Sequence, residues 1–85
     1  MSGKVGTMTT LEIAQHVDAK GLACPMPIVK TAQAMKSLTS GQLLEVLATD
    51  AGSTKDFEAW AKSTGNLLVE SGVDGTVFRF VLQKK

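Results

Sequence analysis

The sequence contains a single cysteine, Cys24, among its 85 residues. One cysteine cannot form an intramolecular disulfide, so the fold has no disulfide framework and the sequence gives no sign of an oxidising compartment. One cysteine and one histidine, His16, also fall short of the roughly four ligands that a structural zinc site needs. Because no Walker A or G-x-G-x-x-G motif occurs either, the sequence predicts no metal site and no cofactor.

An excess of charge of one sign is also absent, because nine Lys and Arg face eight Asp and Glu, for a net charge of +1. Duplex nucleic-acid binders usually carry a clear basic excess, so direct nucleic-acid binding is predicted to be weak at most. No apolar run approaches the ~20 residues of a membrane span, and residues 1–10 lack the apolar segment of a secretory signal. These absences predict a cytoplasmic protein with no membrane partner.

What remains is sufficient for one small folded domain. The hydrophobic fraction of 44% and the charged fraction of 20% are typical of a globular chain. A chain of this size buries only about two-thirds of its unfolded surface, so we expect its chemistry on the surface or in a shallow cleft. The pattern predicts a flexible N-terminal leader over residues 1–10 and a single domain over residues 11–85.

The residue pattern predicts the order strand, helix, strand, helix, strand, strand. The predicted elements are Leu11–Ala19, Pro25–Leu38, Leu43–Thr49, Ser53–Thr64, Asn66–Ser71 and Thr76–Gln83, with a hairpin turn at Gly72–Gly75. Right-handed crossovers place both helices on the same face of one sheet. The fold class is therefore a two-layer α/β (α+β) sandwich.

Apolar residues within these elements predict the core. The predicted inner face of the first helix consists of Ile28, Val29, Ala32, Met35 and Leu38. The predicted core aromatics are Phe57, Trp60, Phe78 and Phe80. Three further apolar residues are predicted to form a patch on the open sheet face, namely Leu43, Leu47 and Val81. Such a patch would favour a partner or self-association.

Cys24 stands directly before two prolines, Pro25 and Pro27, which fit the first turn of a helix. We expect neither proline to be deeply buried. A helix N-terminus carries about half a positive charge, which favours a thiolate, so the sequence predicts a lowered pKa for Cys24. The alternative is a small buried hydrophobe, the usual place of a lone cysteine.

A single thiol in this setting limits the chemistry. A cysteine hydrolase needs a nearby base, and the only histidine, His16, is predicted to face away from the helices. A dithiol oxidoreductase needs a second cysteine. The remaining possibility is a thiol that accepts a group from one partner and presents it to another, which suits a persulfide.

The segment Asp18–Pro27, with an Asp and a Gly ahead of C-P-x-P, resembles the signature of the TusA/SirA family of sulfur carriers. The resemblance continues at Ser40-Gly41, Val46–Asp50, Asp56, Trp60 and Thr64–Asn66. It implies a βαβαββ fold with a four-stranded mixed sheet in the order 1-2-4-3. It also implies that Cys24 carries the persulfide, supported by Gly21, Pro25 and Pro27. Some relatives have a second cysteine where this chain has Ala61, so Cys24 would be the sole carrier.

The resemblance implies two protein partners, a cysteine desulfurase or rhodanese-like sulfur donor and a DsrE-like acceptor. The pathways it implies are tRNA thiolation, molybdenum cofactor assembly and sulfur oxidation. Turnover would depend on these partners, which leaves open whether the chain is itself an enzyme. Candidate docking residues are Met26, Lys30 and Asp50, with a solvated helix face for Lys30 and a capping role for Asp50 as alternatives. We expect a monomer.

A second hypothesis is a regulatory module that binds RNA or protein without covalent chemistry. The expected fold is shared with the C-terminal domain of translation initiation factor 3, and fold alone does not decide function. This hypothesis requires a basic RNA-facing surface, whereas the sulfur-carrier hypothesis requires Cys24. The net charge of +1 speaks against the RNA module.

Overall fold

The computed structural model of the protein describes residues 12–85. The predicted leader and Leu11, the first residue of the first predicted strand, lie outside the described residues. The elements are β1 (Ile13–Ala19), α1 (Met26–Met35), β2 (Leu43–Ala48), α2 (Ser53–Thr64), β3 (Leu67–Asp74) and β4 (Val77–Gln83). The strands form one sheet in the order β1-β2-β4-β3. β1 and β2 are parallel and β4 is antiparallel to both β2 and β3, which confirms the mixed βαβαββ sheet.

Both helices pack on one face of this sheet and the core lies between the two layers. On the central strand β2 the residues Leu44, Val46 and Ala48 are fully buried against the helices. Phe57 of α2 and Phe80 of β4 are also fully buried, and their rings stack with centroids 4.6 Å apart. Burial of such large apolar side chains is the main stabilising contribution in a domain of this size.

The buried face of α1 differs from the prediction. Pro27, Thr31 and Met35 are buried, whereas Val29 is 38% exposed. The Thr31 hydroxyl donates a 2.8 Å hydrogen bond to the Pro27 carbonyl, so this buried polar group is satisfied within its own helix. The helix also ends before the predicted Leu38, because the Leu38 N–H bonds to the carbonyl of Met35, three residues back.

The hairpin between β3 and β4 is tighter than predicted. β3 continues through Gly72 and Val73 to Asp74, so the prediction of a turn over residues 72–75 is wrong. Asp74 pairs with Val77, which leaves a two-residue connection that begins at Gly75. Gly75 has φ +63°, a left-handed conformation that glycine adopts without steric cost.

Charged side chains lie on the sheet face opposite the helices. Arg79 donates hydrogen bonds to Glu45 through Nε and to Glu70 through Nη1, and His16 Nδ1 lies 2.6 Å from the other Glu45 oxygen. Val81 pairs with Glu45 and Glu70 and is fully buried, so the prediction that it belongs to an exposed apolar patch is wrong. The other two predicted patch residues, Leu43 and Leu47, are half-buried.

Candidate functional site

Cys24 lies in the loop between β1 and α1, at the sheet edge where the parallel strands β1 and β2 both end. Gly21 has φ +81°, and its N–H donates a 2.9 Å hydrogen bond to Oγ1 of Thr49, which follows β2. The Leu22 N–H donates to the Ala19 carbonyl at 3.2 Å. The loop that carries the thiol is therefore tied to the ends of both strands.

The start of α1 places the thiol on the surface. Pro25 occupies the N-cap position and follows a cis peptide bond from Cys24. The Met26 N–H donates to the Ala23 carbonyl at 2.9 Å, which closes a turn around Cys24. Pro25 is exposed, but Pro27 is buried, so the expectation that neither proline is buried is wrong for Pro27. Cys24 itself is exposed, which contradicts the buried-hydrophobe alternative.

Two carboxylates lie at the same edge of the sheet. Asp50 follows β2, as predicted from the sequence, and Asp56 lies in the first turn of α2. They flank Gly52, where an added Cβ would lie 3.4 Å from Asp50 Oδ2 and 3.7 Å from Asp56 Oδ2. Asp50 Oδ2 also accepts a hydrogen bond from the Gly52 N–H at 3.3 Å. Both residues are half-buried, and within residues 12–85 neither forms a salt bridge.

These two carboxylates raise the pKa of the Cys24 thiol, whereas the sequence predicts a lowered pKa. Hydrogen bonding to the Asp56 side chain raises the pKa of Cys24, and desolvation and the negative charges of Asp56 and Asp50 raise it further. The prediction of a lowered pKa is therefore wrong, because hydrogen bonding to Asp56, desolvation and the two nearby negative charges all act against the thiolate, in the direction opposite to that of the positive helix end. Cys24 consequently rests as a thiol at neutral pH.

The other candidate docking residues occupy different positions around the thiol. Met26 is 45% exposed and Val29, one helical turn further on, is 38% exposed, so the two form a small apolar surface at the start of α1. Lys30 is exposed, but its Nζ donates to the Asp18 carbonyl at 3.3 Å. Its ammonium group is therefore anchored to the end of β1.

Sequence reasoning did not identify Asp56 or Val29 as site residues. Asp56 belongs to the family resemblance only, and the sequence predicts Val29 on the core-facing side of the first helix. A signal for Asp56 was available, because both helices follow parallel strands and therefore begin at the same sheet edge. Within that geometry, an acidic residue in the first turn of α2 lies near the start of α1.

The described part of the chain contains neither a metal-binding cluster nor a membrane-spanning helix. No group of three His, Cys, Asp or Glu side chains among residues 12–85 is arranged to bind a metal ion. Neither described helix is long and apolar enough to cross a membrane.

Comparison with known proteins finds relatives that match about four-fifths of this chain. The protein YrkF of Bacillus subtilis is 57% identical over 68 residues, which span 80% of this chain but only 37% of YrkF. YrkI of the same organism is 56% identical over 68 residues, which span 80% of this chain and 91% of YrkI. The sulfur carrier protein TusA of Allochromatium vinosum is 50% identical over 70 residues, covering 82% of this chain and 92% of that protein.

The fold has a counterpart among solved structures. The SirA-like protein from Desulfitobacterium hafniense matches with a TM-score of 0.72 over 81% of this chain and 95% of that one, at 24% sequence identity. That likeness supports the fold. The family model described as sulfurtransferase TusA matches residues 15–84, which include every residue of the site described above. The chain belongs to the TusA family.

Proposed function

We propose that Cys24 accepts sulfur as a persulfide from a donor protein and passes it to an acceptor protein. Family membership and the relative named sulfur carrier protein TusA support the sulfur-carrier role. The observation that supports Cys24 as the carrier is its position, an exposed thiol in a loop bonded to the ends of β1 and β2. It is also the chain's only cysteine.

The chemistry of such a transfer needs no oxidant. The Cys24 sulfur, after losing its proton, attacks the outer sulfur of the donor persulfide, and the donor S–S bond breaks. The donor sulfur leaves as a thiolate with the electron pair and takes up a proton, while Cys24 gains the new S–S bond. The single cysteine cannot release this sulfur through an intramolecular disulfide, so the next nucleophile comes from an acceptor.

The surroundings of Cys24 fit a surface transfer between proteins. Met26 and Val29 supply an apolar surface next to the thiol, and a partner that covers it would exclude water from the reacting sulfur atoms. Gly21, Pro25 and Pro27 act as supports, because they shape the loop and the first turn of α1 around Cys24. Asp50 shapes the start of α2 through its bond to Gly52.

Intact-mass spectrometry tests the assignment. The protein is incubated with a cysteine desulfurase and L-cysteine, and in parallel with a persulfidated rhodanese-like protein. We expect the mass to rise by whole sulfur atoms with at least one donor and to return to baseline with a reductant. Cys24→Ser should gain nothing, and an equal sulfur adduct on that variant would show that Cys24 is not the carrier.

A pair of surface variants tests whether partners dock beside the thiol. Met26→Gln should slow loading from the donor protein several-fold, because it removes apolar contact area next to Cys24. Leu67→Gln is the matched control, since Leu67 is 59% exposed and pairs with Gln83 at the opposite end of the sheet. Equal loading rates for the two variants would argue against docking on the Met26 surface.

A further inference from the structure

The charges around Cys24 bear on which sulfur donors it can use. Asp50 and Asp56 flank Gly52 within a few ångströms, at the edge of the sheet that carries Cys24, and the loop of Cys24 is bonded to this segment by the 2.9 Å hydrogen bond from the Gly21 N–H to Thr49. No salt bridge in the described chain neutralises either carboxylate. Lys30, on the first helix, directs its ammonium group to the Asp18 carbonyl instead.

Resting on the proposed function, we propose that Asp50 and Asp56 make Cys24 selective for the charge of its reaction partner. They disfavour anionic small-molecule donors, such as inorganic polysulfide. They favour a protein that presents a cationic side chain, Lys or Arg, beside its persulfide or its accepting thiol. Pairing of that cation with Asp56 would remove the negative field from the thiol at the moment of docking.

The magnitude follows from charge and distance. Two unit charges about 4 Å apart interact by ~1 kcal/mol in bulk water, which corresponds to a factor of about five in rate, and by more where solvent is partly excluded. Asp50 and Asp56 are half-buried, so salt screens them less than it screens fully exposed side chains. Two such carboxylates should therefore separate a cationic reagent from an anionic one by about tenfold or more.

The raised pKa of Cys24 is consistent with this field, because the same two carboxylates disfavour negative charge on the sulfur. The raised pKa also affects the rate at which any reagent modifies Cys24. Neutralising Asp56 increases the thiolate fraction and so accelerates every thiol reagent alike. The ratio of rates for a cationic and an anionic reagent cancels this common factor and reports the local field alone.

The test uses the full chain and two methanethiosulfonate reagents of similar size, one carrying a trimethylammonium group and one a sulfonate. Second-order rate constants for modification of Cys24 are measured by mass spectrometry at low and high salt. We expect a cationic-to-anionic rate ratio of about tenfold or more at low salt that falls as salt is added. Asp56→Asn should lower the ratio by about fivefold or more, because a carboxylate speeds the cationic reagent and slows the anionic one, and Asp50→Asn should lower it by a smaller factor.

Glu58→Gln is the matched control, because Glu58 is an exposed carboxylate on α2 that lines the groove between α2 and β3. It should leave the ratio unchanged. A wild-type ratio near one, or an equal change for Glu58→Gln and Asp56→Asn, would overturn the proposal. Asn at position 50 keeps an acceptor for the Gly52 N–H, so the start of α2 should be preserved in that variant.

A second measurement uses sulfur donors directly. Cys24 attacks one sulfur of inorganic polysulfide, an S–S bond breaks, and the shorter polysulfide leaves with the electron pair. Asp56→Asn should accelerate loading from polysulfide more than loading from a protein donor, because both gain from the larger thiolate fraction but the protein donor loses the partner of its cation. A protein donor that accelerates as strongly as polysulfide would contradict selection by charge. Failure of every donor to load any variant would instead reject the proposed function, and the reagent ratio would still decide the charge selectivity.

Discussion

Replacement of Gly21 by alanine tests whether the loop that presents Cys24 depends on a left-handed backbone. Gly21 has φ +81°, and a Cβ added there would meet no other atom within 4 Å. The cost of the substitution is therefore confined to the backbone, at about 1–2 kcal/mol for a residue other than glycine. Alanine keeps the N–H that bonds to Thr49, so that 2.9 Å contact need not be lost.

The net effect is smaller than the backbone term. Alanine also stiffens the unfolded chain, which returns about 0.4–1 kcal/mol of stability. We therefore expect Gly21→Ala to lower the free energy of unfolding by about 1 kcal/mol, which corresponds to a fall of about 4–8 °C in Tm for a domain of this size. Gly21→Asn should be milder, because asparagine adopts the left-handed region more readily.

Gly72→Ala is the matched control for this substitution. A Cβ at Gly72 also meets no atom within 4 Å, but Gly72 lies in β3 without a positive φ. The same glycine-to-alanine change should therefore be neutral or stabilising by up to about 1 kcal/mol. Urea denaturation of both variants decides the matter. Equal stability changes at Gly21 and Gly72 would refute the argument from the left-handed loop.

Two further predictions concern the open sheet face and the core. Hydrogen bonds from Arg79 and His16 hold the pKa of Glu45 below its usual range, so this carboxylate contributes stability at pH 7 that is lost as pH falls through the folded-state pKa. Glu45→Gln should cost about 1 kcal/mol at pH 7 in urea denaturation, and the difference from wild type should shrink as pH falls below the unfolded pKa of ~4.3 and vanish below the lower folded-state pKa; a pH-independent difference would contradict this account. Phe57→Ala removes a fully buried stacked ring and should cost about 3–5 kcal/mol, whereas Val73→Ala, at a side chain 63% exposed, should change the unfolding free energy by less than about 0.5 kcal/mol.

The element order was predictable because local patterns determine it. Both ends of α2 agree with the prediction, since Gly65 takes φ +81° and ends the helix where a left-handed cap is needed. The parallel and antiparallel pairings follow from the crossover lengths and from the short hairpin. The buried face of α1 was less predictable, because Thr31 reaches the core by bonding to the Pro27 carbonyl, and hydrophobicity alone does not reveal such a bond.

The open sheet face shows a second limit of sequence reasoning. Val81 alternates correctly with Phe80, so its placement on the face opposite the helices was predictable. Its full burial was not predicted; its partners on the neighbouring strands are Glu45 and Glu70, which both bond to Arg79. Pairing of that kind depends on strand register, which the local pattern does not specify.

The direction of the Cys24 pKa shift could not be predicted from neighbouring residues either, because it too depends on contacts between distant parts of the chain. The motif around the thiol predicts a positive helix end, because the residues that begin α1 directly follow Cys24 in the sequence. The opposing carboxylates come from positions 26 and 32 residues further along the chain, brought to the thiol by the return of β2 and the start of α2. A pKa set by tertiary contacts can reverse the direction that the nearest helix alone would predict.

The raised pKa of Cys24 has a consequence for a chain whose only thiol is this one. A thiolate is the form that peroxides and disulfides attack, so an exposed cysteine that rests as a thiol is less prone to oxidation and to indiscriminate exchange. The same protonation makes Cys24 a slow nucleophile in isolation. If Cys24 carries sulfur, its reactivity must then be restored where a partner neutralises Asp56, and transfer would be confined to docked complexes. Protection of the free thiol and dependence on a partner would thus arise from one pair of carboxylates.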